Sequence, residues 1–468
     1  MNNLNFLVDV LKESPVFKTL EKNVKPGRTV CASGLSTINK SNIIYALCRL
    51  KGVTAFCLAS DEKEAQTLCN DLSCMGLRAY VYPVRDFNFL DFQSRSHEYE
   101  HARLKVLLKL LNHECDVAIA CVDAAAQLTV PRNVLEQSVI EFEEGRELSL
   151  EKATKALTLL GYERFDAVEG SGQFSLRGGI LDFFMPDSDY PVRCEFWGDE
   201  ITDLSYFDIE TQRRFKKADK ITLSPSTEIV IEDRAALADK IEHKAKLLRS
   251  KNSAKAKEKL FSEAELIRSG AMIANADKFI NQIYDNPESL FDYLDRNTLV
   301  FASEFTAIQE RGKSMDFISN ETLMQGFEDG TLCRGFDRFA LTFNECTEFL
   351  QSHGTIVLEN FVHGSMPIKL SEIISFSTKQ LSAWGGSYKQ LKEDVDGLFT
   401  PESKGVIFAG TERAAKNLCD TFNADGINAV YSEGADKISK GELLVMQGAL
   451  SAGFEYPSQK FFAITYSQ

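Results

Sequence analysis

The hydrophobic period of this chain changes near Leu148, and that change constrains the fold more than any other feature. Before it, short apolar runs at 28–33, 53–59, 78–82 and 116–122 have the length and content of buried strands. Helical stretches at 42–49, 62–72 and 102–111 separate them, the second opened by Ser60-Asp61, a natural helix cap. Strands spaced by helices predict a mainly parallel sheet covered on both faces. From 174 to 207 the period is two. Phe174 and Leu176 alternate with Ser175 and Arg177, and Val192, Cys194 and Phe196 alternate with Arg193, Glu195 and Trp197. Turns at Gly178-Gly179, 187–191 and Gly198-Asp199 complete a small antiparallel sheet, half buried, with a charged outer face.

Helical periodicity returns over 234–283 and leads to a buried strand at 298–302. A last α/β unit follows, with strands at 405–409, 428–431, 442–446 and 461–465 and a helix over 411–422. Residues 377–400 are weakly patterned, and there is no internal repeat. The stop at Gln468, just past a strand, is what a larger protein divided at a boundary would give.

At 468 residues the chain outgrows a single core, which rarely serves more than about 250–300 residues, so about three or four domains are expected. With 44% hydrophobic and 26% charged residues it is too apolar to be disordered, and no run is long enough for a membrane helix. Met1 to Asp9 lacks a secretory pattern, and the 11 cysteines include no Cys-x-x-Cys pair. Reduced thiols in the cytoplasm are expected. A net charge of -15 argues against a surface that coats nucleic acid, although local basic patches stay open.

Residues Gly34 to Ser41 have the position and length of a phosphate-binding loop, but Asn39 stands where the second glycine belongs before Lys40-Ser41. Asparagine tolerates unusual backbone angles, so weak anion binding stays open. Hydrolysis also needs a magnesium carboxylate after a neighbouring strand. Asp123 is followed by alanines, and after 299–302 come Ser303-Glu304 rather than Asp-Glu. A relic nucleotide fold without catalytic residues is therefore expected. His97-Glu98-Tyr99-Glu100-His101 fits the His-Glu-x-x-His zinc signature, but Leu107 occupies the third-histidine position of the extended form and the flank 93–96 is polar. A solvated first helical turn and no metal are expected. Gly170-Ser171-Gly172 lacks the third glycine of a dinucleotide fingerprint and reads as a turn, and Cys69 and Cys74 read as core thiols. The basic run Lys244, Lys246, Arg249, Lys251, Lys255, Lys257 and Lys259 could follow a phosphate backbone, but a solvated helix face is the expectation.

A resemblance extends these expectations. Gly161-Tyr162-Glu163-Arg164, Phe174 to Phe184 with its Arg-Gly-Gly-Ile-Leu-Asp core, Glu195-Phe196-Trp197-Gly198-Asp199-Glu200 and Thr211-Gln212-Arg213 resemble the second domain shared by UvrB and the bacterial transcription-repair coupling factors, in the coupling-factor wording. Ala32 to Lys40, Asp61 to Ala65 and the Leu450-Ser451-Ala452-Gly453-Phe454 segment agree. The resemblance covers nearly the whole chain but only the amino-terminal, UvrB-like part of that family.

It implies an α/β architecture: a P-loop-like parallel-sheet domain with an inserted small antiparallel α+β domain, followed by a further α/β domain. The expected boundaries are 1–140 for the first half of the sheet domain, 141–222 for the insert, 223–345 for the second half and 346–468 for the last domain. By resemblance the insert binds UvrA, with Arg164, Arg177, Arg193, Phe184 and Trp197 expected on its face. RNA polymerase, DNA, ATP and magnesium are implied for the missing motor domains, with no cofactor here. Gly34, Asn39, Lys40, Ser41, Ser303 and Glu304 would form the degenerate nucleotide site. The alternative is a UvrB-type, ATP-dependent lesion-verifying helicase, which needs an intact loop, an Asp-Glu pair and an aromatic hairpin; 86–92 is aromatic but too short for that hairpin. Alternation turns Arg177 and Arg193 outward, where no internal partner is expected.

Overall fold

Eighteen or more residues of spacing between the first apolar runs leave room for crossover helices, and a computed structural model of residues 4–85, 97–249, 253–270, 276–362 and 366–466 has them. The first strands are β1 (Val30–Ser33), β2 (Ala55–Ala59), β3 (Ala79–Tyr82) and β4 (Val117–Cys121). Next come β5 (Ile140–Glu143), then β6 (Glu163–Arg164), β7 (Gln173–Arg177), β8 (Ile180–Phe183), β9 (Val192–Trp197), β10 (Glu200–Phe207) and β11 (Arg214–Lys217), then β12 (Lys220–Leu223). They are followed by β13 (Leu299–Ser303), β14 (Thr355–Glu359) and β15 (Glu372–Ser375). The last are β16 (Lys379–Leu381), β17 (Lys404–Phe408), β18 (Ala429–Ser432), β19 (Glu442–Met446), β20 (Gly453–Tyr456) and β21 (Phe461–Thr465).

The parallel sheet has seven strands in the order β15-β1-β14-β13-β2-β4-β3. Its strands come from both sides of the antiparallel sheet β11-β10-β9-β8-β7-β6, so the small sheet is an insertion, as the α/β expectation required. The insertion is entered and left through one two-stranded antiparallel ribbon, β5 against β12, with Ile140 opposite Leu223. β14 and β15 pair with β1, so the parallel sheet continues well beyond residue 345, and the boundary expected there falls after Ser375 instead. The buried run Thr355–Glu359 follows the helix Phe343–His353 and completes the sheet centre, which the apolar pattern alone did not reveal.

The third sheet, β16-β20-β21-β17-β19-β18, is parallel at β21-β17-β19-β18 and antiparallel at its other edge. It shares an apolar core with the first: Ile43, Ile44 and Leu47 of the helix Thr37–Lys51 belong to one cluster with Leu450, Phe454 and Phe461. The stretch read as weakly patterned holds β16 and the helix Tyr388–Leu398, whose Leu391 and Val395 are buried one turn apart. Residues 234–283 divide into the helices Arg234–Leu247 and Ser253–Ser269 and shorter turns. Among the described residues no helix is long and apolar enough to cross a membrane. The aromatic stretch 86–92, the flank 93–96 and Lys251 lie outside the described residues.

At the root of the insertion sits a buried ionic network. Arg103, on the helix Glu98–Leu111, donates to Glu228 at 2.6 Å and to Gln127 at 2.8 Å, and stacks its guanidinium over Tyr82. Thr129 donates to the other oxygen of Glu228 at 2.7 Å. Both Arg103 and Glu228 are fully enclosed, so Arg103 depends on Glu228 for charge balance, while Glu228 is also met by Arg85 at 3.7 Å.

Candidate functional site

Alternation in the small sheet sends Phe174, Leu181, Phe183, Val192, Cys194, Ile201 and Leu204 into a core shared with the helix Leu150–Leu159. The other side chains form a polar face. Its centre is Asp182, only 1% exposed, which the sequence reading missed. Arg193 donates to Asp182 from Nε and Nη2, each at 2.8 Å, and Arg177 donates to the same carboxylate at 2.8 Å. Arg193 also lies over the Phe207 ring and donates to the carbonyl and side chain of Gln212, fixing the turn from Asp208 to Arg213. The Asp182 carboxylate raises the Arg193 pKa further above its ordinary value, so the guanidinium stays charged.

The expectation that outward arginines lack internal partners is corrected here. Arg193 is largely covered and works as a brace, while Arg177 keeps about half of its side chain in solvent. Both face the same way as Trp197, which stands 82% exposed at the β9–β10 turn. Phe184 is half-buried. Arg164 is exposed, but its register partner is Phe174, a core position, so it leaves the sheet edge on the side opposite Arg177. The structure therefore groups Arg177, Arg193 and Trp197 and leaves Arg164 apart. Arg214 joins the same face through Glu195 and Asp203.

The altered phosphate loop follows β1 and opens the helix Thr37–Lys51, as its sequence position required. Gly34 has φ +78, and a Cβ there would collide with the carbonyl of Phe376. Lys40 does not reach toward an open cradle. Its side chain is 1% exposed, and its ammonium donates to Glu304 at 2.6 Å, Ser303 at 2.9 Å and Glu64 at 3.2 Å. Ser303 in turn donates to Glu64 at 2.6 Å. Although burial opposes ionisation of Glu64, Lys40 and the hydrogen bonds from Ser303 and Ser60 leave its pKa lowered. Glu304 takes the left-handed backbone (φ +55) at the start of the helix Phe305–Asp329 and accepts the Asn360 amide. Glu359, beside it, accepts the Phe305 amide through one oxygen, while its other oxygen is buried without a partner. Burial pushes this carboxyl up to about 7, and the charge of Glu304 adds to the effect.

Two carboxylates already neutralise Lys40, and a third lies close by. A phosphate entering the loop would have to displace Glu304 and meet Glu64. Asn39 and Ser41 are buried and turned to internal partners, Tyr456 and Asp71. The open option of weak anion binding thus meets a site whose donors are occupied. Glu64, Glu359, Asp71 and Tyr456 were missed by the sequence reading, because none falls within the loop motif.

His97 and His101 also serve the fold. His97 faces Glu100 at 3.0 Å, and Glu100 accepts the Thr227 hydroxyl and the Glu228 amide, each at 2.8 Å, which contributes to holding its pKa near 2. His101 is half-buried against Gly172, and burial lowers its pKa. The first turn is solvated at His97, Glu98 and Tyr99, as expected, while Glu100 and His101 on its inner side grip the exit of the insertion.

The family described as the UvrB interaction domain matches residues 140–229, which run from β5 through the small sheet and β12 to the segment that Glu100 holds. Over nearly its whole length the chain is similar to curated proteins called transcription-repair-coupling factor. That of Bacillus subtilis is 26% identical over 97% of this chain and 39% of its own length. That of Staphylococcus epidermidis is 25% identical over 82% of this chain and 33% of its own, and that of Staphylococcus aureus 22% identical over 99% and 40%. The chain therefore spans about two fifths of the length of these relatives. The interaction-domain match thus falls on the inserted sheet, and the similarity to transcription-repair-coupling factors runs along both that insert and the altered P-loop-like sheet that carries it.

Proposed function

We propose that this chain recruits UvrA to RNA polymerase stalled at a DNA lesion, in transcription-coupled nucleotide excision repair. The observation that carries the proposal is a coincidence of place. The stretch matched as an interaction domain is the small sheet whose outer face offers Arg177, Trp197 and the braced turn after β10. An arginine fork and an exposed indole suit an acidic partner surface with an apolar pocket. RNA polymerase and DNA contacts, and ATP-driven translocation with magnesium, are assigned to the part of the relatives that this chain does not span. This chain is assigned no catalytic residue, cofactor or metal, and a cytoplasmic location. The ion pairs that occupy Lys40 support that assignment and weigh against a UvrB-type lesion-verifying helicase.

Binding of the purified chain to UvrA tests the proposal. Arg177→Ala with Trp197→Ala should weaken the complex at least about tenfold while leaving the melting temperature within a few degrees. Normal UvrA binding by that double variant would place the contact elsewhere. DNA-stimulated ATP turnover that disappears in Lys40→Ala would instead revive the helicase reading.

A further inference from the structure

The altered phosphate loop has lost its access to a phosphate, yet its side chains are not idle. Asn39 Nδ2 donates to the Tyr456 hydroxyl at 3.3 Å, and Asn42 Nδ2, one helical turn on, donates to the same oxygen at 3.0 Å. Asn39 is itself oriented by Ser36, whose hydroxyl donates to its Oδ1 at 2.7 Å. On the next face of the helix, Ser41 donates to Asp71, and that carboxylate also accepts the amide and the hydroxyl of Ser451, each at 2.7 Å. Thr378 donates to the Gly34 carbonyl at 2.7 Å. Tyr456, Ser451 and Thr378 all lie beyond β15, in or beside the third sheet, and Asn39, Asn42, Ser41, Asp71 and Tyr456 are all enclosed. The Tyr456 ring packs on Phe454 and Phe461 within the shared apolar core.

We propose that the former phosphate loop is now a socket that docks the chain's own third sheet, with the segment Gly448 to Tyr456 as its ligand. The substitution that spoils the loop for nucleotide supplies the contact: a glycine at 39 has no side chain to offer Tyr456. The glycine normally clears space for phosphate, whereas the asparagine fills it with a donor. The serine that would face magnesium in an intact loop is spent on Asp71 and, through it, on Ser451. Nucleotide and third sheet would draw on the same groups, so the loop serves one ligand and excludes the other. The adjoining apolar contact supplies area, and these polar pairs fix the register of one sheet on the other.

Hydrogen–deuterium exchange on the whole chain tests this. In Tyr456→Phe combined with Ser451→Ala, the amides of 448–456 and 34–42 should exchange at least about tenfold faster, while those of β7 to β10 keep wild-type protection. Should the double variant fold poorly, Tyr456→Phe alone keeps the ring packing and should still speed exchange about threefold. Asn39→Gly should loosen the same amides and gain no affinity for ATP with magnesium at millimolar concentration. Wild-type protection of 448–456 in the double variant, or in Tyr456→Phe where only that variant folds, would overturn the proposal. So would magnesium-dependent ATP binding by Asn39→Gly with that protection intact.

Discussion

Asp182 and Glu359 are both buried carboxylates, and their different surroundings give them different consequences. Asp182 balances two arginines, so removing Arg193 leaves a nearly enclosed acid with one partner and frees the turn at Gln212. Arg193→Ala should cost about 2–3 kcal/mol of stability, and Trp197→Ala less than about 0.5 kcal/mol, a contrast that urea denaturation reads directly. Alternation could place Arg193 on the outer face but could not reveal its partner, because Asp182 sits in an apolar strand that reads as core. Glu359 has no cation of its own. Its folded-state pKa lies above the ordinary 4.5, so the folded state holds the proton more tightly than the unfolded chain. The stability this contributes is complete below about pH 4.5 and is lost as pH rises through about 7. Glu359→Gln should therefore stabilise the protein by something on the order of 2 kcal/mol at pH 8 and leave it unchanged at pH 4. Urea midpoints at the two pH values check this.

Among the elements, those with an unbroken apolar signal were legible in the sequence. β2 and β4 were read to within two residues at each end, since five consecutive buried positions leave little freedom. The helix Thr37–Lys51 was expected only from 42, because Asn39, Lys40 and Ser41 read as the end of the phosphate loop; their burial is satisfied by partners elsewhere in the chain. The helix Phe305–Asp329 was not read at all. It buries Phe305, Ile308, Gly312 and Gly326 but leaves Phe317, Ile318 and Met324 exposed, so it carries no clean apolar stripe. The His-Glu-x-x-His stretch was legible as a helix start but not as a grip on the insertion, since Gly172 and Thr227 lie far away in sequence. Gly172 has φ +80 and faces the His101 ring, where a Cβ would approach to 2.6 Å. Gly172→Ala should lower stability by about 1–3 kcal/mol through both backbone strain and collision, visible as a fall in melting temperature.

In the whole molecule, the insertion and the parallel sheet meet at the Arg103–Glu228 network, and their stabilities should be coupled there. Glu228→Gln would leave Arg103 enclosed without its counter-charge and should cost about 3–5 kcal/mol. Exchange protection should fall in β4 and β7 alike, whereas loss confined to one sheet would show that the two unfold independently. The global plan was legible where the hydrophobic period switched, because a period of two cannot continue a helix-spaced parallel sheet. The place where the parallel sheet resumes and ends was not, because β14 and β15 carry no signal of which sheet they join. The ribbon in which Ile140 faces Leu223 has a further meaning. A module whose two ends lie side by side is topologically a loop, however large it is. It can be lost, replaced or transplanted without rethreading its host, so the outer face of the small sheet and the parallel sheet that carries it are free to evolve at different speeds.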